Sequence, residues 1–153
     1  MRAAAGSTPL CEDAPTVEII QAARAVLESD ALAHLVTLNA DGGPQISCVW
    51  VGLDGDAIVC ASLGQRQKLR NLRRDPRVAL SLETVRVNEV GLREYLVVHG
   101  HAEIVDGGAP ELLQQLASTY IGPGVRFPPM DDPPPGHVVR ITPERCGGVG
   151  PWA

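Results

Sequence analysis

A run of basic side chains is the part of this sequence best suited to chemistry. It contains six of the 13 lysines and arginines of the chain, namely Arg66, Lys68, Arg70, Arg73, Arg74 and Arg77. Ser62 and Gly64 come just before it, where a predicted strand gives way to a predicted helix, so free backbone N–H groups are expected there. Positive charge beside a helix N-terminus attracts anions. The segment therefore predicts an anion site, with phosphate as the expected ligand.

The six cations cannot all face one ligand. At helical spacing Leu69 and Leu72 share the inward face, so the basic residues divide between its two flanks and the solvent. A solvated face is the expected role of each of Arg70, Arg73 and Arg74. Arg66 and Lys68 are the predicted ligand-binding pair, and Lys68 is the only lysine in the chain.

Nucleic acid is the obvious rival ligand for a basic helix. The formal net charge of the whole chain is −5, however, and the aromatic residues are limited to 2 Trp, 2 Tyr and 1 Phe. These are too few for a platform on which bases could stack. We therefore expect a small-molecule ligand and no nucleic-acid partner.

Other reactive side chains are too scattered to form a recognisable centre. His99 and His101 lie two apart on a predicted strand and could share a metal, but no third ligand accompanies them, so no metal site is predicted. The 4 cysteines have no C-x-x-C spacing and are expected to be reduced thiols. No catalytic residue can be assigned.

The pattern of apolar residues predicts three helices and six strands. The helices are expected after an N-cap at Thr16 as far as Ser29, in the basic segment between Ser62 and Arg77, and from Ala109 to Tyr120. The strands are expected at His34–Leu38, Gln45–Val51, Ala57–Ala61, Val78–Leu82, Leu92–Val105 and His137–Ile141. Consecutive strands joined by tight turns favour a mainly β antiparallel barrel or sandwich, and no G-x-G-x-x-G turn supports a dinucleotide-binding fold.

The length of 153 residues suits one domain. Residues 1–14 read as a flexible N-terminal tail, and residues 15–153 as a single cofactor-binding domain. No run approaches 18 apolar residues and no secretion signal is recognisable, so neither a membrane partner nor export is expected. We predict a cytoplasmic protein.

The pattern Arg66-x-Lys68-x-x-Asn71-Leu-x-x-Asp75-Pro76-Arg77-Val strongly resembles the pyridoxamine 5'-phosphate oxidase-like split barrels. It is most similar to their actinobacterial branch, which uses the deazaflavin coenzyme F420. The resemblance extends from Val17 to Trp152. It implies a six-stranded antiparallel split β-barrel and a homodimer whose interface forms two cofactor clefts.

The resemblance also implies roles for individual residues. Arg66 and Lys68 would bind the phosphate or tail carboxylates of the cofactor, with Asn71 and Ser62 as supporting donors. Ser47 and Val49, or their backbone, would lie beside the deazaflavin ring. The C-terminal Trp152 is either a packing anchor or a lid over the ligand, and it completes the predicted cofactor-binding set.

The implied activity is hydride transfer from reduced F420 to an unsaturated or aromatic small molecule. Such chemistry needs no acid–base pair from the protein, because the cofactor supplies the hydride. Two alternatives stay open: an oxidoreductase of the same fold that uses FMN, and a non-catalytic protein that holds a flavin-type or haem-type ligand.

Overall fold

The computed structural model describes residues 18–153, which form three helices and seven strands. The helices are α1 (Gln21–Leu27), α2 (Gln67–Arg74) and α3 (Ala109–Tyr120). The strands are β1 (Ala33–Leu38), β2 (Pro44–Val49), β3 (Gly52–Asp54), β4 (Ala57–Ser62), β5 (Arg77–Val87), β6 (Arg93–Asp106) and β7 (His137–Val149). The predicted tail, residues 1–14, and the predicted N-cap Thr16 lie outside the described residues.

All seven strands belong to one antiparallel sheet with the order β2-β1-β5-β6-β7-β4-β3. Their inward side chains meet in a single apolar core that includes Leu35, Ile58, Leu80, Val98 and Ile141. Because alternate side chains of a strand point to one face, such distant strands share a core only when the sheet curls around it. The two edge strands, β2 and β3, follow each other in the chain and leave the barrel split between them. The mainly β split-barrel prediction is confirmed.

The extra strand beyond the predicted six is β3. Its three residues pair with β4 immediately before the turn at Gly55. A segment this short has no alternation of its own, so its residues could not be separated from the turn by pattern. The strand before it, β2, ends at Val49 and not at the predicted Val51.

The last strand is much longer than predicted. β7 continues to Val149, whereas the strand was predicted to end at Ile141. Pro143 lies opposite Gly100, where the register of β6 and β7 shifts. A proline is tolerated at such a bulge because the ladder is already interrupted there.

The helices follow the prediction in number, and α3 has the predicted bounds. α1 begins later than expected: Ile20 is its N-cap and provides no side-chain hydrogen bond. α2 begins at Gln67 and buries Leu69 and Leu72, the predicted inward pair. Within residues 18–153 no helix has the length and apolar composition needed to cross a bilayer.

Gly100 tests the close approach of β6 and β7. A Cβ at this position would lie 2.2 Å from the carbonyl oxygen of Thr142, so Gly100→Ala forces the two backbones apart. We expect it to lower the free energy of unfolding by about 2–4 kcal/mol in urea titrations. Gly147→Ala on β7 is the control, because a Cβ there meets nothing within 4 Å. It should change stability by less than about 0.5 kcal/mol, and equal losses would contradict the prediction.

Candidate functional site

The turn between β4 and α2 is shaped by its own polar groups. Ser62, the last residue of β4, is buried, and its hydroxyl donates to the carbonyl of Gly64 at 2.8 Å. Arg66 is the N-cap of α2, with extended backbone and no cap bond from its side chain. Its carbonyl accepts from the N–H groups of Leu69 and Arg70 at 3.0 and 3.3 Å. The turn therefore holds Arg66 by its backbone and leaves its side chain outside that bonding.

The structure divides the six cations of the basic segment into two groups. Four are engaged: Arg70 with Gln67 at 2.8 Å, Arg73 with Gln65 at 2.7 Å, Arg74 with the Leu38 carbonyl, and Arg77 with Asp75 at 2.7 Å. Within residues 18–153, the side chains of Arg66 and Lys68 form neither a hydrogen bond nor an ion pair. The two predicted anion ligands are thus the two cations whose donors are available.

Lys68 lies at the boundary between the surface and the core. Its side chain is half-buried, whereas Arg66 is exposed. Burial raises the pKa of the Cys60 thiol in β4 to about 11, and the positive charge of Lys68 acts on it in the opposite direction. The ammonium group is therefore close enough to β4 for its charge to be felt inside the barrel wall.

Arg77 differs from the other engaged arginines because its partner is charged. Asp75 accepts from Arg77 Nη2 at 2.7 Å and from Nε at 3.0 Å. These hydrogen bonds lower the pKa of Asp75 to about 2, so the carboxylate is ionised throughout the neutral range. The charge of Arg77 is locally neutralised, which leaves it no excess charge for a ligand.

Asn71, a predicted cofactor donor, is completely buried. Its amide donates to Thr37 Oγ1 at 3.0 Å and to Asn39 Oδ1 at 2.9 Å, and its carbonyl oxygen accepts from Gln67 Nε2 at 2.8 Å. Both amide hydrogens are thus used within the chain, and none is left for a ligand. Asn71 fastens α2 to β1 and the turn that follows it.

The predicted ring-contacting residues lie on β2, an edge strand of the sheet. Ser47 lies directly opposite Leu35 of β1, which is buried, so the side chain of Ser47 also faces the interior of the barrel. Its hydroxyl oxygen is buried and has no hydrogen-bond partner within the described residues. Val49 belongs to the apolar core, which leaves its backbone as the part able to reach a ligand. An unpaired buried hydroxyl costs free energy, so Ser47 carries a polar group that the described residues leave unsatisfied.

Trp152, the remaining predicted cofactor residue, packs as an anchor. It is buried with the core cluster, and its indole N–H donates to the carbonyl of Tyr95 at 3.0 Å. A Cβ on Gly150 would lie 2.4 Å from the indole, so the chain bends tightly around the ring. The lid interpretation is therefore not supported in this conformation, because the indole is already covered.

The described histidines and cysteines, all within residues 18–153, do not lie in groups of three or more potential metal ligands. Within residues 18–153 no cluster of three or more His, Cys, Asp or Glu side chains has the spacing of a metal site. His101 instead contacts Glu144 through Nδ1 at 2.7 Å.

Gln65 and His137 join the basic turn to the start of β7, and sequence reasoning did not find them. Gln65 Nε2 lies 2.8 Å from His137 Nε2, and His137 Nδ1 lies 2.9 Å from Asp106 Oδ1. The two residues are 72 positions apart in the chain. The only signal in the sequence was a histidine at the first position of a predicted strand, which by itself suggests nothing.

A cavity lies elsewhere in the described structure, under α3. Its volume is about 730 Å³, and its walls include Arg24, Leu53, Leu116 and Arg140. Arg24 is paired with Asp56 at 3.0 Å, and Arg140 bonds Asp54. Neither Arg66 nor Lys68 lines it. The basic turn is therefore an open surface feature of the single chain.

A family model described as pyridoxamine 5'-phosphate oxidase matches residues 19–150, nearly the whole of the barrel. The chain belongs to the pyridoxamine 5'-phosphate oxidase family. Among solved structures, an F420 reductase is 28% identical with a TM-score of 0.66, and the match covers 81% of this chain and 94% of that one. This family member matches none of the curated proteins.

Two further solved structures resemble this member of the family. A conserved hypothetical protein of Mycobacterium tuberculosis is 25% identical, with a TM-score of 0.65 and coverage of 91% of this chain and 89% of that one. The Group A Streptococcus protein HupZ is 22% identical, with a TM-score of 0.61 and coverage of 89% and 98%. The second likeness shows the fold alone.

Asn71→Ala tests the structural role of the buried amide. Truncation leaves buried polar groups unpaired on β1 and α2, so we expect a loss of about 2–4 kcal/mol in the free energy of unfolding. Asn88→Ala makes the same chemical change in the β5–β6 turn, where the side chain accepts from Val90 and Leu92. The control should lose no more than about 1 kcal/mol, and a similar loss in both variants would refute the assignment.

Proposed function

We propose that this protein is an oxidoreductase that binds coenzyme F420 and transfers hydride to an unsaturated or aromatic small molecule. The observation that carries the proposal is the availability of Arg66 and Lys68 on one turn, while the other four cations of the segment are engaged. The phosphodiester and carboxylate-rich tail of F420 suits such a pair, since charge-assisted hydrogen bonds are strong and selective.

The F420 reductase among the similar structures supports the choice of cofactor. FMN is the second candidate, because its phosphate would suit the same two cations. A protein that holds such a ligand without turnover would use them in the same way. The anion-binding chemistry is common to these possibilities, so direct comparison of the cofactors is needed to separate them.

The residues have distinct proposed tasks. Arg66 and Lys68 hold the anionic part of the cofactor, and the Ser47 hydroxyl donates a hydrogen bond that it lacks within the described chain. The bound deazaflavin supplies the hydride, so the protein contributes binding, orientation and electrostatics. Ser62 and Asn71 act through the backbone and the position of α2, because their polar groups are used internally.

We also propose that two copies of the chain form the complete cofactor cleft. The hairpin formed by β5 and β6 carries large apolar side chains in solvent, with Val85 90% and Val90 79% exposed, and Val87 and Leu92 beside them. Exposed apolar side chains grouped in this way are typical of protein interfaces. A second copy would cover them and give the basic turn the opposite wall that one chain does not provide.

Titration with the two cofactors tests the proposed function. We expect F420 to bind at low micromolar or better concentration, at least about tenfold more tightly than FMN, a difference of about 1.4 kcal/mol. Fluorescence quenching measures both affinities. Reduced F420 should then be oxidised in the presence of a panel of enones and quinones. Tighter binding of FMN would reject F420 as the cofactor, and binding without any turnover would favour the carrier.

Single substitutions test the two cations. Lys68→Ala and Arg66→Ala should each weaken F420 binding by about 1.5–3 kcal/mol, because each removes a charge-assisted hydrogen bond. Arg77→Ala is the matched control, since it removes the same charge from the same segment but from a side chain already neutralised by Asp75. Calorimetry should show little change for the control. Equal weakening in all three variants would mean that only diffuse charge attracts the cofactor.

Light scattering after size exclusion tests the dimer. The wild-type protein should elute at twice the chain mass of 16.2 kDa. Val85→Asp combined with Val90→Asp should yield monomers with weakened F420 binding, because charge at a buried apolar contact is costly. Ile121→Asp, on the exposed residue after α3, is the control and should stay dimeric. A monomeric wild type that binds F420 tightly would overturn the two-copy cleft.

A further inference from the structure

The first residue of β7 reaches the turn that precedes α2. His137 pairs with Ser62 in the β4–β7 ladder, so its ring lies beside the end of β4. Only 15% of its side chain is exposed. A Cβ on the preceding Gly136 would lie 2.4 Å from the carbonyl of Ser62, so the two backbones are in close contact here. This closeness brings the His137 ring against Gln65.

The partners of this ring determine where its hydrogen lies. Gln65 Oε1 accepts from Arg73 Nη1 at 2.7 Å, so the part of the amide that faces His137 is the NH₂ donor. His137 Nε2 must accept from it at 2.8 Å. A neutral ring then carries its hydrogen on Nδ1, which donates to the carboxylate of Asp106 at 2.9 Å. This one tautomer of His137 satisfies both its hydrogen bond with Gln65 and its hydrogen bond with Asp106.

Gln65, one member of this chain of hydrogen bonds, directly precedes Arg66 in the sequence. Gly64 and Gln65 are exposed, and a Cβ on Gly64 would meet nothing within 4 Å, so packing does not hold this part of the turn. The Gln65 carbonyl accepts only a long bond from Arg70 Nη1, at 3.4 Å. The side chain of Gln65 therefore makes the shorter contacts, and the one to His137 links the turn to the barrel wall.

We propose that His137 is a positioning residue for the anion-binding turn, held in one tautomer by Asp106 and acting through Gln65 on the placement of Arg66. The inference rests on the proposed function for its effect on cofactor affinity. Its effect on the order of the turn is independent of any cofactor.

Two substitutions of His137 separate its two contacts. A Gln side chain extends as far as Nε2 of histidine, so His137→Gln keeps an acceptor for Gln65. An Asn side chain extends only as far as Nδ1, so His137→Asn keeps a donor for Asp106 and loses the contact with Gln65. The two variants are similar in polarity, and both should unfold within a few degrees of the wild type.

The first measurement is hydrogen–deuterium exchange of the ligand-free protein, followed on a peptide covering residues 62–68. His137→Asn should speed exchange of the turn about five- to tenfold, the factor expected when one ordering hydrogen bond of about 1 kcal/mol is lost. His137→Gln should exchange at a rate within about twofold of the wild type. Gln65→Ala removes the same contact from the other side, together with the bond from Arg73, and should exchange at least as fast as His137→Asn.

The second measurement is the dissociation constant for F420. His137→Asn should raise it about five- to tenfold and His137→Gln by less than about twofold. The double variant Gln65→Ala/His137→Asn should bind no more weakly than Gln65→Ala alone, since the contact between His137 and Gln65 can be lost only once.

The outcomes distinguish the two proposals. Faster exchange in His137→Asn alone, with no cofactor binding in any variant, would support the positioning role and overturn the proposed function. F420 binding in the wild type, with His137→Asn and His137→Gln alike in exchange and affinity, would overturn the positioning role. Additive losses in the double variant would overturn it as well.

Discussion

The amide of Asn71 is the contact on which the position of the basic segment depends. α2 has eight residues, too few for a stable helix in isolation, so tertiary contacts must hold it. Leu69 and Leu72 supply apolar contact, which fixes the distance between α2 and the barrel more strongly than the orientation of the helix. The hydrogen bonds from Asn71 to Thr37 and Asn39 fix the orientation of α2, because each requires a particular alignment of donor and acceptor. Once that face is buried, helical geometry sends the cations outward.

The engaged arginines still contribute to the site through their charge. Arg70, Arg73 and Arg74 bond to neutral amide and carbonyl oxygens, so their positive charge is not cancelled. In a chain of net charge −5 they create a local positive potential that steers anions toward the turn. Direct contact needs donors that are still free, and those belong to Arg66 and Lys68. In the proposed function, attraction and binding of the cofactor are thus tasks of different side chains.

The fold could be predicted from the sequence wherever the information was local. Period-two alternation located β1 and the start of β5, and apolar spacing located α3, because each pattern reflects burial of one face, while β-rich composition located β6. β3 was missed because three residues are too few to show a period. The end of β7 was missed because the tolerance of Pro143 depends on Gly100, a residue on another strand.

The site could be predicted only in part, for the same physical reason. Residue type and helical spacing singled out Arg66 and Lys68 among six cations, and their role as cofactor ligands stays a prediction. The burial of Asn71 and Trp152 depends on strands distant in sequence, as does the contact between His137 and Gln65. Polar residues that resemble ligand-binding residues in a local pattern can have all their hydrogen-bonding groups paired with such distant residues. Only three-dimensional pairing shows which donors are left.

The cavity under α3 and the basic turn differ in how far the described residues enclose them. The cavity under α3 is enclosed by elements of one chain, and its arginines already have carboxylate partners. The basic turn has free cations but no opposite wall, and the edge strand β2 has peptide groups unpaired on one side along with the unpartnered Ser47 hydroxyl. The basic turn and β2 thus provide charged and polar groups, but they do not enclose a ligand. A large anionic cofactor needs polar groups and an enclosed cleft. In the proposed dimer, a second copy bound through the apolar β5–β6 hairpin would enclose the cleft.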